Sequence, residues 1–307
     1  GAVDFLMWVV TGISTGLTQG FSIQLSQYYG AKDFENLRKS LAHSYRLTAF
    51  IAIGVFILSQ SFASLVLTGL HTPSNIIGMS LLYLRIIFCG IPATAAYNMF
   101  ASALRAMGNS KTPLTAMIIA SVLNVSLDIL FVAGFGWGVA GAAIATVIAQ
   151  SFSAVYCFLI LRRIDIVHLT RADFMPASGM NARLMKLGIP VVFQNIIIGV
   201  GGLVVQYVIN GYGFLFVAGF TATNKLYGLL EMAAISYGYA IVTYVGQNLG
   251  AGKIDRIRKG VHSSMLLSLL TSLLISAAMF LFGKNILSLF ISGEPQQTQQ
   301  VLAIAFK

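Results

Sequence analysis

The chain has 307 residues, 57% of them apolar and only 9% charged, where soluble domains carry about 25% Asp, Glu, Lys and Arg. A mean hydropathy of +0.83 adds that water is not its main solvent. Nineteen Lys and Arg against nine Asp and Glu give a net charge of +10, but these charges sit in short loops between apolar runs, which argues against a nucleic-acid surface and for a membrane. Cys89 and Cys157 both fall inside apolar runs, so neither a disulfide framework nor a zinc site is expected.

A membrane span needs about 20 predominantly apolar residues. In chain order such stretches fall at 5–27, 41–68, 77–106, 112–134, 138–161, 188–211, 216–247 and 260–283, and a ninth starts near Val301. They read as helices, because lipid offers backbone groups no partners and none of the segments alternates as a barrel strand would. The first span carries Thr11, Ser14, Thr15, Thr18, Gln19, Ser22 and Gln24; it is too polar to face lipid all round and is expected to line a central cleft. Pro92, after Gly90, predicts a kink in the third span. Gly138, Gly141, Ala142, Ala145 and Thr146 make a small-residue seam at the start of the fifth, where helices can approach closely.

The loops alternate strictly. Those after the first, third, fifth and seventh spans hold Lys32, Arg38 and Lys39; Arg105 and Lys111; Arg162, Arg163, Arg171, Arg183 and Lys186; and Lys253, Arg256, Arg258 and Lys259. The loops around 71–75, 134–138 and 211–216 hold no basic residue. By the positive-inside rule the basic loops are cytoplasmic, so the surplus charge reflects orientation and anionic headgroups.

One internal repeat stands out. Gln27, Gly30, Ala31, Arg38 and Lys39 recur as Gln247, Gly250, Ala251, Arg258 and Lys259, at a constant offset of 220. Six spans separate the copies, so both halves have the same orientation and are expected to be related by an axis along the membrane normal. Carrying the offset through, some spans need partners outside 1–307. The expected whole is two six-helix lobes, of which 1–167 holds five helices of the first, 168–187 a cytoplasmic linker and 188–307 three helices and the start of a fourth of the second.

Ionisable groups at bilayer depth are costly, and four occur: Arg85, Asp128, Lys225 and Glu231. Ser121, Asn124 and Asp128 share one helical face at i, i+3 and i+7. Counting 1.5 Å per residue, Asp128 lies roughly 9 Å and Asn124 roughly 15 Å below the outer end near Gly134, with Thr146 roughly 12 Å and Arg85 roughly 15 Å deep on their own spans. A carboxylate among amide and hydroxyl oxygens suits a hard cation such as sodium, and a buried carboxyl can also carry a proton. The alternative is a structural Asp128–Arg85 ion pair with Asn124 bonding a neighbouring backbone. Lys225 and Glu231 are six apart on one span and do not pair directly. Tyr29, Tyr83, Tyr97, Tyr227 and Tyr237, with Met99 and Met232, are candidates to line a cavity for flat cations.

The segments "QYYGAKD", "YLRIIFCGIP", "ALRAMGNSKTPL", "NVSLDILF" and "GWGVAGAAIATVIAQ", in that order, resemble the multidrug and toxic compound extrusion family of secondary transporters. The resemblance implies an all-α polytopic membrane protein with twelve helices in two pseudo-symmetric lobes around a central cavity. It implies export of organic, often cationic, compounds in exchange for sodium ions or protons, with no other cofactor. The positions of Asn124, Asp128 and Thr146 match those that form the first-lobe cation site in archaeal and related bacterial members, together with an acidic residue on a helix preceding this chain. Arg85, Glu231, Lys225, Tyr97 and Gln24 are the further candidates for the cavity or for coupling. The expected partners are a small-molecule substrate and the bilayer, with no nucleic acid; the expected setting is a bacterial-type plasma membrane, and the expected state a monomer. A flippase for lipid-linked precursors in the same superfamily is the alternative. An enzyme is disfavoured because His43, His71, His168 and His262 fall in loops or at span ends, with no nucleophile and base at helical spacing.

Overall fold

A computed structural model describes residues 2–69, 74–212 and 214–288, and all regular structure among them is helical. Nine long helices follow one another among the described residues: α1 (Ala2–Gly30), α2 (Phe34–Gly69), α3 (Ser74–Cys89), α4 (Ile91–Ala106), α5 (Lys111–Asp128), α6 (Gly138–Arg162), α7 (Met180–Asn210), α8 (Phe214–Gly250) and α9 (Ile254–Ser288). The span expected to start near Val301 lies outside the described residues. Five of the helices are long and apolar enough to cross a bilayer on composition alone, and α3 with α4 makes a sixth such span bent by 41°. The bend falls at the Gly90–Pro92 step, where proline supplies no N–H to the helical ladder.

Burial departs from that of a water-soluble protein, with polar side chains inside and many large apolar ones outside. Ser14, Thr18, Ser22, Gln24 and Ser26 on α1 are buried, while Phe50, Leu58, Phe62, Leu65, Leu274 and Phe280 are exposed. Apolar side chains turned outward in such numbers match a hydrocarbon solvent. Most α1 hydroxyls are satisfied at close range, as where Thr18 donates to the Ser14 carbonyl at 3.0 Å and Ser22 to that of Gln19 at 2.6 Å, whereas the Ser14 hydroxyl has no partner.

Two compact units result, one of residues 1–199 with 246–252, the other of 200–245 with 253–307. The first extends beyond the linker expected at 168–187, because α1 packs closely on α7: a Cβ at Gly16 would press on the Val192 backbone, and one at Gly20 on that of Gly188. Asn195 also donates to the Gly12 carbonyl at 3.0 Å. Around α1 lie α2 and α4, with α6 behind α4, α5 against α6, and α3 against α2 and α6. Phe21, Leu25, Leu37, Leu41, Leu104 and Leu161 fill the core near the basic loops, and Leu67, Leu84, Phe88 and Ile91 a second one further along.

The connecting segment 163–179 is fastened to α2. His43 is buried, with Nδ1 2.7 Å from the Asn181 side-chain oxygen and Nε2 3.1 Å from the Met175 carbonyl. Arg46 donates to the Phe174 carbonyl at 3.0 Å, and Arg38 lies 3.7 Å from Asp173.

Candidate functional site

The site is built where α4, α5 and α6 meet. Asp128 is the last residue of α5 before a wide π-helical turn, Ile129–Gly134, a local unwinding that often marks functional positions. Beyond it Phe131, Phe135 and Trp137 stack within 5.9 Å of one another and close the end of the α5–α6 pair. The turn into α6 uses Gly136 and Gly138, both at positive φ (69° and 53°), where a side chain would be strained.

One turn below Asp128 on the same face, Asn124 donates to the Thr146 hydroxyl at 3.5 Å, and Thr146 in turn donates to the Ala142 carbonyl at 3.0 Å. Asn124, Thr146 and Tyr97 line one cavity of about 180 Å³ with Ser121, Gln150 and Ser153. A second cavity, of about 100 Å³, lies on the other side of Thr146 and Gln150 and reaches Thr11 and Thr94 on α1 and α4. Gln150 and Ser153 were not among the expected site residues. Their signal was in the chain, since Thr146, Gln150 and Ser153 form a polar i, i+4, i+7 stripe on an otherwise apolar helix.

Asp128 lines neither cavity, but its Oδ1 is buried without a hydrogen-bond partner. It forms no ion pair with Arg85 among the described residues. Arg85 is instead exposed on α3, with its backbone carbonyl accepting a 2.8 Å bond from Gln60. Lying in the same outer half of the lobe therefore did not bring the two charges together. Among the described residues no three His, Cys, Asp or Glu gather as metal ligands; the donor set here is one carboxylate with neutral oxygens.

The other candidates lie apart from this cluster. Gln24 is buried, with Nε2 2.9 Å from the Met180 sulfur and 3.4 Å from the Tyr28 hydroxyl, and its Oε1 has no partner. It stands about 20 Å along α1 from Thr11, toward the basic loops. Glu231 is half-buried on α8 in the second unit, and the side chain of Lys225 lies outside the described residues.

Comparison with known proteins gives a consistent answer. The MatE family model matches residues 1–130 and 190–306. Over 287 residues the chain is 31% identical to the probable multidrug resistance protein YpnP of Bacillus subtilis, covering 94% of this chain and 64% of that protein. It is 22% identical over 289 residues to the multidrug export protein MepA of Staphylococcus aureus, covering 93% of this chain and 63% of the relative. The chain thus spans about 64% of the length of such relatives. Among solved structures, a MOP superfamily transporter from Pyrococcus furiosus matches with a TM-score of 0.89 at 19% identity, over 99% of this chain and 68% of that one.

Proposed function

The chain belongs to the MatE family, and from that premise we propose that the protein is a secondary active transporter exporting organic, chiefly cationic, drugs or toxins in exchange for sodium ions or protons. It works as a carrier in a bacterial-type plasma membrane, as a monomer, with its basic loops in the cytoplasm.

The observation that carries this reading is the bare Oδ1 of Asp128. A carboxylate oxygen buried without a partner on a partly buried side chain is unfavourable, and either a cation or a proton relieves it. Asn124 offers a neutral oxygen one turn away on α5 and is itself bonded to the Thr146 hydroxyl of α6, and the glutamine and serine stripe of α6 continues the polar path. An ion arriving from the side opposite the basic loops binds one conformation better than the other, and that difference shifts the equilibrium between them. The flippase alternative calls for a cationic cavity. Neither cavity beside Thr146 carries a basic side chain.

The test is Asp128→Asn in the whole protein, reconstituted in liposomes. Dye efflux driven by a sodium or proton gradient falls to that of empty liposomes, while the thermal unfolding midpoint stays near that of the parent. Thr146→Ala removes one neutral oxygen and raises the half-saturating ion concentration about tenfold. Undiminished gradient-driven efflux by a folded Asp128→Asn protein overturns the reading.

A further inference from the structure

We propose that the first unit holds a site for one anionic phospholipid, drawn from the leaflet on the side of the basic loops and seated in a cleft between α2, α4 and α6. The inference is independent of the transport reading, because its observable is bound lipid.

A cavity of about 340 Å³ runs along this cleft. Helix α4 packs against both α2 and α6, whereas α2 and α6 make no comparable contact with each other, so α4 forms a floor between two walls. Alanines at 49, 52, 95 and 96 leave the space open. Aromatic rings narrow the end toward the basic loops: Phe100 lies 5.3 Å edge-on from Tyr45 and 5.2 Å from Phe158. At the other end the cleft stops at Pro92, where the α3–α4 span bends. From Tyr45 to Ile53 the α2 wall is about 12 Å long, close to the hydrocarbon depth of a single leaflet, which is about half of 30 Å. That fits an acyl chain.

Two further observations select a headed lipid over bare hydrocarbon. Thr48 lines the cleft and is only 6% exposed, yet its hydroxyl has no hydrogen-bond partner. A buried donor of this kind is costly unless something meets it, and a lipid ester carbonyl is an acceptor at the right level. Two exposed arginines follow the lining residues Tyr45 and Phe158 closely along the chain, at the end toward the basic loops. Arg162 lies one helical turn beyond Phe158 on α6, and no hydrogen bond or ion pair engages it among the described residues. Arg46 commits Nη1 to the Phe174 carbonyl, which holds the guanidinium at the level of the connecting segment with other donors of its planar fork to spare. Thr48 is about 3 Å deeper along α2 than Arg46. Phosphate at the arginines, ester at Thr48 and chain toward Pro92 is the order in which a phospholipid presents its parts, and phosphate is a group that guanidinium forks bind in bidentate fashion.

The experiment titrates the purified whole protein with phosphatidylglycerol and with phosphatidylcholine of identical acyl chains, and reads bound lipid by native mass spectrometry. The expected result is one phosphatidylglycerol retained in preference to phosphatidylcholine. Arg162→Ala lowers phosphatidylglycerol affinity roughly fivefold, the scale of one cation near a lipid phosphate, and lowers that of phosphatidylcholine less, because the choline ammonium already offsets its phosphate. Ala96→Phe fills the cleft and abolishes retention of both; should that variant not fold, Ala49→Phe occupies the same space from an exposed position on α2. Equal retention of the two lipids by the parent protein overturns the proposal. So does an Arg162→Ala protein with unaltered preference, or a folded cleft-filling variant that still holds one phosphatidylglycerol.

Discussion

Lys32 holds a left-handed backbone, φ 58°, and the residue 220 positions on is Gly252, φ 68°. The surrounding bonds repeat as well: Lys32 N–H donates to the Tyr29 carbonyl and Gly252 N–H to that of Leu249, each at 3.1 Å. The same helix-ending turn is thus built twice, once with the residue type that adopts it freely and once with one that does not. Lys32→Gly is therefore expected to stabilise the protein by about 0.5–1 kcal/mol, seen as a higher thermal midpoint in detergent, whereas Gly252→Lys lowers it by a similar amount. The functional residues were legible in the same local way. Asn124 and Asp128 on α5, and Thr146 on α6, announce a polar face by their spacing, and the structure brings Asn124 to Thr146. What spacing left open was azimuth. Asp128 and Arg85 lie in the same outer half of the lobe, yet nothing in either helix's own sequence says whether they face one another, and they do not pair.

At the scale of elements, the two copies of the repeat meet. A Cβ on Gly30 would overlap the Gln247 carbonyl, and a Cβ on Gly250 would overlap the Gln27 carbonyl. This reciprocity is what a two-fold axis between the ends of α1 and α8 produces, and it explains why glycine stands at both places: backbone crosses backbone with no room for a side chain. Gln247 adds a 2.8 Å bond from Nε2 to the Ala106 carbonyl at the end of α4. Gly30→Val and Gly250→Val are each expected to cost about 1–3 kcal/mol, the usual penalty of overpacking. Because both act on one crossing, the double variant should lose less than the sum, measurable as a double-mutant cycle on thermal midpoints. Two independent losses would show that the crossing is not shared. The kink at Gly90–Pro92 was readable from proline chemistry alone. The π-helical turn after Asp128 was not, because no residue type demands it; it follows from the aromatic stack of Phe131, Phe135 and Trp137 and the tight approach of Gly141, where a Cβ would press on Phe131.

For the whole molecule, orientation is the property that the sequence argues and labelling decides. With the native cysteines replaced, Arg163→Cys is expected to react with a membrane-impermeant maleimide only after intact cells are opened, and Phe135→Cys before. The reverse pattern would invert the assignment. Spans, kink, repeat and the polar faces of α5 and α6 were all determined by the chain itself, since each depends on hydropathy or on spacing along a single helix, and a membrane leaves helices little other choice. Tertiary structure alone decided the rest: that Asp128 keeps a bare oxygen instead of meeting Arg85, that Asn124 meets Thr146, that α7 as far as Gly199 joins the first unit, and that α4 opens a cleft between α2 and α6. Those outcomes depend on how helices are rotated against one another, and that rotation is set by small residues meeting across the interfaces, a property of pairs of segments that no single segment encodes.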